Sequence, residues 1–257
     1  MLATERRNRL LEYVRQRHFA SLEDLTKHLD VSESTVRRDL EHLEEAGVTR
    51  RIHGGALYAG SSPKVPHFDS RQVARWDQKK AIAEKAVGLI EDGDTVLLDG
   101  GSTTYEVAQL LVGRPVHVVT TALSVASLFA SDASSDLVFI GGNICPRTGV
   151  ARGPYADEML RMVRVRKTIL SVAGINDDGF FNNNLLLVGT EKAMMHAADE
   201  VIVVADSSKF GHQSLAHLCP LGEIDRLVVD DRIGKDWQNK VKAAGVELLL
   251  ADPIEDN

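Results

Sequence analysis

A chain of 257 residues with 44% hydrophobic and 26% charged residues is long enough for one large or two ordinary globular domains and unlike a disordered polymer. No apolar run is long enough to span a bilayer, the start of the chain lacks a secretion core, and Cys145 and Cys219 are too few for a disulfide framework, so a cytoplasmic location is expected. The net charge of −7 argues against indiscriminate coating of nucleic acid, yet residues 1–60 hold 10 basic and 10 acidic residues, leaving the acidic excess to the remainder.

Three short helices are expected within the first 50 residues. Glu5 to Arg17 places Leu10, Leu11 and Val14 on one face. Ser21 is an N-cap with Asp24 three residues on, and the helix it opens carries Leu22, Leu25 and Leu29. Asp30-Val31 makes a tight turn, Ser32 caps the third helix, and Gly47 ends it. At about 100° per residue, Val36, Leu40 and Leu43 form its inner stripe, while Ser34, Arg37, Arg38 and Glu41 face outward. Val48 to Ala56 reads as a small basic hairpin with Gly54 and Gly55 at its tip.

This is the pattern of a winged helix-turn-helix. Its DNA contacts are expected from Ser32, Ser34, Thr35, Arg37 and Arg38 on the recognition helix, and from Arg50, Arg51, His53 and Gly54 on the wing. The DNA-binding domain is placed at 1–57, a linker with Gly60, Ser61, Ser62, Pro63 and Pro66 at 58–69, and a second domain at 70–257. The linker is the expected joint between them.

A charged helix from about Arg71 to Leu89 follows. Apolar runs then recur at Thr95–Leu98, Val116–Val119, Leu137–Ile140, Thr168–Val172, Val201–Val204, Leu227–Val229 and Val246–Leu250, with helices such as Thr104–Leu111 and Ala122–Phe129 between most of them. Short buried runs alternating with helices predict an α/β fold, a doubly wound and mainly parallel sheet.

Strand ends on such a sheet converge on one rim. Asp99-Gly100-Gly101-Ser102-Thr103-Thr104 ends a strand and opens a helix, which suits an anion. It has neither the lysine of a P-loop nor the glycine spacing of a dinucleotide fingerprint. The expected effector rim is Asp99, Gly101, Ser102, Thr103, Thr104, Thr120, Thr121, Gly141, Gly142 and Lys209, with Asp206 positioning the lysine. No cofactor is expected, and no metal, because the nine histidines are scattered without ligand spacing.

Residues 1–57 closely resemble the N-terminal domain of the DeoR family of bacterial transcription regulators. Thr35-Val36-Arg37-Arg38-Asp39-Leu40, Arg51-Ile52-His53-Gly54-Gly55-Ala56, Glu5-Arg6-Arg7 and Leu10-Leu11 carry the likeness. It extends through Asp99–Thr104, Val119-Thr120-Thr121, Gly141-Gly142 and Asp206-Ser207-Ser208-Lys209-Phe210-Gly211. The resemblance implies an effector domain similar in fold to ribose-5-phosphate isomerases, and a repressor of a sugar or sugar-alcohol operon released from operator DNA by a phosphorylated sugar. Thr121 stands where the family commonly has Asn. Leu187 is the residue nearest to a common Glu about seven residues before Ala193-Met194.

A homo-oligomer, dimer or tetramer, is expected because one recognition helix covers only a few base pairs. Two other readings are an isomerase-like enzyme, with Asp99, Asp206 or Glu191 as base, and a redox-responsive regulator using Cys145 near Arg147 and Arg152.

Overall fold

The computed structural model describes residues 3–17, 19–45, 48–52, 55–58 and 68–253, which fall in two compact units, Met1–Pro66 and His67–Asn257.

The first unit holds α1 (Ala3–Arg17), β1 (Phe19–Ser21), α2 (Leu22–Leu29), α3 (Glu33–Glu45), β2 (Thr49–Ile52) and β3 (Gly55–Tyr58). Leu10, Val14, Leu25, Leu29, Val36, Leu40, Leu43 and Ala56 close into one small core. Ser21 accepts from the Asp24 amide at 3.0 Å while the Asp24 carboxylate accepts from the Ser21 amide at 3.4 Å, so both halves of a capping box are present. Asp30 takes the left-handed conformation at φ 51°, which ends α2 and turns the chain into α3. The wing is a three-stranded antiparallel sheet in the order β1-β3-β2, with β1 an addition to the expected hairpin. Ile52 pairs with Gly55, so Gly55, expected at the tip, opens β3; His53 and Gly54 lie outside the described residues, as do Gly47 and most of the expected linker.

The second unit is built on seven parallel strands: β4 (Thr95–Leu98), β5 (His117–Thr120), β6 (Asp136–Phe139), β9 (Val165–Ser171), β12 (Ala198–Ala205), β14 (Arg226–Asp230) and β15 (Glu247–Ala251). Their order is β15-β14-β12-β9-β4-β5-β6, and every neighbouring pair is parallel. Each of the seven apolar runs read from the sequence falls on one of these strands.

Alternate residues supply opposite cores. Val96, Leu98, Val118, Ile169, Ile202, Val204 and Val228 pack with α5 (Trp76–Val87), α6 (Ser102–Leu111) and α7 (Leu123–Phe129). Leu97, Val119, Leu170, Val203, Leu227 and Val229 pack with α8 (Pro154–Arg161), α9 (Leu185–Ala197) and α10 (Lys235–Ala243). Burial on both faces is what makes these strands read as unbroken apolar runs.

Two small sheets complete the unit. One is a hairpin of β7 (Asn143–Cys145) and β8 (Val150–Arg152); the other joins β10 (Gly174–Asn176), β11 (Gly179–Asn182) and β13 (Ala216–Cys219). Two boundaries differ from expectation. Tyr58 and Phe68, assigned to the linker, belong to β3 and to α4 (Phe68–Val73). The single helix expected over Arg71–Leu89 is broken between α4 and α5, because Arg75 is left-handed at φ 54°. A non-glycine residue pays about 1–2 kcal/mol for that conformation, so the rest of the fold holds the turn in place.

Candidate nucleic-acid interface and candidate effector site

Val36 and Leu40 of α3 are buried, while Ser34, Arg37 and Arg38 are exposed and Thr35 is half-buried. The Ser32 hydroxyl lies 2.9 Å from that of Thr35 and 3.0 Å from that of Ser34, and accepts from the Thr35 amide at 3.4 Å, capping the helix. Arg37 donates to Glu33 Oε1 at 2.6 Å and 3.0 Å, one turn away. Both partners are well exposed, and such a pair stabilises a helix by only about 0.3–0.5 kcal/mol, so it yields readily to a phosphate. Arg38 makes no hydrogen bond or ion pair with another described residue.

Asp39 points the other way. It is buried and accepts from Arg6 at 2.6 Å and 3.2 Å, fastening α3 to α1. This fork separates a structural arginine in α1 from the outward ones in α3. On the wing, Arg50 and Arg51 occupy β2 opposite Leu57 and Ala56.

In the second unit, successive strands run from β4 to β5 and β6 on one side, and from β9 to β12, β14 and β15 on the other. The direction reverses between β4 and β9, and ligands on open α/β sheets bind at the carboxyl ends flanking such a reversal. Asp99 and Ser171 lie there, the Asp99 carboxylate accepting from the Ser171 hydroxyl at 2.9 Å and its amide at 3.3 Å.

The glycines are demanded by packing. A Cβ on Gly100 would lie 2.1 Å from Val150, and one on Gly101 would lie 1.7 Å from the Ser171 hydroxyl. Thr104 donates to the carbonyls of Gly101 at 2.8 Å and Asp99 at 2.9 Å. Thr120 donates to the Leu98 carbonyl at 2.7 Å and accepts from the Ala122 amide at 3.1 Å. These two hydroxyls, expected to face a ligand, instead hold the loops in shape.

Ser102 and Thr103 are buried in the first turn of α6, where backbone amides have no intrahelical acceptor. Thr121 is fully buried and its hydroxyl has no partner. Gly141 and Gly142 leave β6, two strands from β4, with Gly142 packed on Ala156. Lys209 follows β12 on the other flank, with its ammonium 3.9 Å from Asp206, which also has Arg75 at 3.9 Å.

Cationic groups other than Lys209, none of them expected as effector ligands, stand near this rim. The β7–β8 hairpin covers the loops after β4 and β5: Val150 bridges to Ala122, Leu123 donates to the Gly149 carbonyl at 2.9 Å, and Phe68 of α4 donates to the Arg147 carbonyl at 3.3 Å. Arg71 of α4 and Arg152 thereby lie within electrostatic reach of Cys145, to which the Arg147 backbone donates, and the Nε atoms of Arg71, Arg147 and Arg152 are buried without a partner among the described residues. Burial pulls the Arg71 guanidinium below its ordinary value, against the nearby Asp99 carboxylate. Lys79 of α5 is also buried, donating to the carbonyls of Ala74, at 2.5 Å, and Arg71, and burial lowers it to about 8. Burial pushes the Cys145 thiol up, but hydrogen bonds from Thr148 and the Arg147 backbone, with the Arg152 charge, bring it net below its usual value.

The segment after β11 carries a second unmarked feature. Asn184 caps α9 by accepting from the Leu187 amide at 3.0 Å, so the apolar run at Leu185–Leu187 is a helical first turn. One turn further on, Glu191 is fully buried; its Oε1 accepts from Asn182 Nδ2 at 2.6 Å, and its Oε2 has no partner among the described residues. Asn182 also donates to the Ser171 carbonyl at 3.2 Å, completing a chain Asp99–Ser171–Asn182–Glu191. Burial, then the charge of Asp99, push the Glu191 carboxyl well above the ordinary range. Burial raises Asp99 as well.

Comparison with known proteins places these features in context. Residues 6–62 match the DeoR-like helix-turn-helix domain, and residues 74–231 match the DeoR C-terminal sensor domain. The transcriptional repressor AccR of Agrobacterium fabrum is 33% identical over 88% of this chain and 89% of its own length. The glycerol-3-phosphate regulon repressor of Escherichia coli is 31% identical over 90% and 92%. The uncharacterized regulator YulB of Bacillus subtilis is 31% identical over 90% of both chains. Among solved structures, ribose 5-phosphate isomerase A from Methanocaldococcus jannaschii aligns over 53% of this chain and 55% of its own, with 20% identity and a TM-score of 0.40.

Proposed function

The chain belongs to the DeoR family of DNA-binding transcriptional regulators, and from that premise we propose that it is a repressor whose hold on operator DNA is loosened by a phosphorylated sugar or sugar alcohol. The carrying observation is that the buried guanidinium Nε atoms of Arg71, Arg147 and Arg152 have no partner among the described residues, with Arg71 in electrostatic reach of Asp99 at the reversal of strand order. An unsatisfied buried donor costs about 1–3 kcal/mol, more when charged. A phosphate supplies acceptor oxygens in the geometry that arginine binds best. The Thr121 hydroxyl, the first-turn amides of α6 and the charges of Lys79 and Lys209 add to that field. Two relatives named as repressors, one of a glycerol-3-phosphate regulon, support the direction of control and the class of effector.

On the DNA side, Arg38 reads a base edge in the major groove. Arg37, released from Glu33, and the Ser32–Ser34–Thr35 hydroxyls hold phosphates, and the wing residues flank them. The protein acts as a homo-oligomer so that several recognition helices reach repeated half-sites. Titration calorimetry of the full chain with a panel of phosphorylated sugars and polyols tests the effector site. At least one is expected to bind, and Arg71→Ala to weaken it at least tenfold, the equivalent of about 1.4 kcal/mol. Binding unaffected by Arg71→Ala overturns the assignment.

The lowered thiol of Cys145 favours a second reading, control by oxidation. Peroxide treatment that changes DNA affinity in the wild type but not in Cys145→Ser would support it; equal affinities before and after would remove it.

A further inference from the structure

Building on the phosphate-binding reading, we propose that Glu191 selects an effector bearing an ammonium group, a phosphorylated amino sugar, whose nitrogen donates to Glu191 Oε2. The arginines account for only one end of the site. Glu191, joined to Asp99 through Ser171 and Asn182, has no exposure to solvent, and one of its two oxygens lacks a partner among the described residues. The neighbouring donors are already used: Ser171 serves Asp99 with both its hydroxyl and its amide, and the Asn182 amide serves Ser171 and Glu191 Oε1. No described protein donor remains for Oε2. A buried polar atom of this kind needs an external partner.

The chemistry of that partner follows from the charges. Asp99 lies within electrostatic reach of both Arg71 and Glu191, and the hydrogen-bond chain through Ser171 and Asn182 ties it to the second carboxyl. A ligand bridging them meets arginines with one end and two carboxyl groups with the other. A ring hydroxyl would offer Glu191 one neutral hydrogen bond and leave the repulsion between the two carboxyls in place. An ammonium opposes both charges at once, and its hydrogen bond to a carboxylate is about twice as strong as a neutral one. A neutral Glu191 passes its proton to the ligand's free amine as it docks, which leaves a carboxylate paired with an ammonium.

Matched pairs test this on the full-length protein by calorimetry: glucosamine 6-phosphate against glucose 6-phosphate, and galactosamine 6-phosphate against galactose 6-phosphate. The wild type is expected to prefer the amino member of at least one pair by roughly tenfold or more, about 1.4 kcal/mol or greater. In Glu191→Gln the preference should shrink to about twofold or less. Wild-type protein that binds the neutral member as tightly, or a Glu191→Gln variant that keeps the preference, overturns the proposal. The wild-type comparison needs no variant to fold. Arg71→Ala separates the two readings: it should weaken both members of a pair alike. Equal binding of both members by wild type sinks the amino-sugar claim alone, whereas binding of neither, in either pair, counts against both readings.

Discussion

Arg38 and Glu191 illustrate how differently two charged residues are used. Arg38 is exposed on α3 with its guanidinium uncommitted to any other described residue, ready for a partner outside the protein. Replacing it with alanine should weaken operator binding by about 1–3 kcal/mol and relax the sequence preference at one base pair, read by gel shift against a panel of mutated sites. Wild-type affinity and selectivity in Arg38→Ala would contradict the base-reading role. Arg37→Ala should instead weaken binding to all sequences alike. Glu191 is the opposite case, a carboxyl kept from water. Its folded-state proton affinity is raised, so above the ordinary glutamate value of 4.5 the native state holds a proton that the unfolded chain has released. Stability therefore falls as pH climbs past that value, and Asp99, raised in the same direction, adds to the slope. Glu191→Gln should flatten the decline in thermal melts taken across neutral pH. A decline as steep as in the wild type would show that Glu191 is already ionised in the folded protein.

Local rules built most of the elements. Ser21 and Asp24 start α2 by reciprocal hydrogen bonds, and Ser21→Ala should cost about 1 kcal/mol, read as a lower midpoint in denaturant for the N-terminal unit. No change in that midpoint would mean that tertiary packing alone sets the start of α2. The five inner strands were legible because each is buried on both faces and stands out as an apolar run, whereas the edge strands β6 and β15 are partly exposed and were legible from their apolar residues alone. The β10–β11–β13 sheet and the β7–β8 hairpin were not. Their strands are three or four residues long and mix Gly, Asn, His and Arg with apolar side chains, which leaves no period to read. The break at Arg75 was hidden because a left-handed arginine carries none of the glycine signal that usually marks such a turn. The site was half visible for the same reason. Asp99–Thr104 announces itself by composition, but Thr104 and Thr120 turn inward, which only their carbonyl partners reveal. Arg71 stands 76 positions before Arg147, the difference between the two residue numbers, and α4 reaches the hairpin only in the fold; Glu191 gains its character from burial and then from Asp99, 92 positions earlier by the same subtraction.

The whole molecule joins a neutral, arginine-bearing N-terminal segment to an acidic body. DNA affinity should accordingly fall steeply with salt, with a log–log slope of about −0.9 for each phosphate neutralised, and Arg37→Ala should reduce that slope by roughly one per recognition helix engaged. Effector control adds a coupling energy. A ligand regulates DNA binding only if it binds the DNA-competent and DNA-incompetent states unequally, and by reciprocity DNA must then lower the affinity for the ligand by the same factor. The central claim is that the arginine cluster at the carboxyl ends of the sheet is where this coupling begins. Its most direct test is operator release: protein bound to DNA selected from a random pool, titrated with the phosphorylated sugar that calorimetry identifies, in wild type and Arg71→Ala. The wild type should let go of the DNA at ligand concentrations that leave Arg71→Ala bound, while the two hold DNA equally well without ligand; release of both at the same concentration would contradict the account.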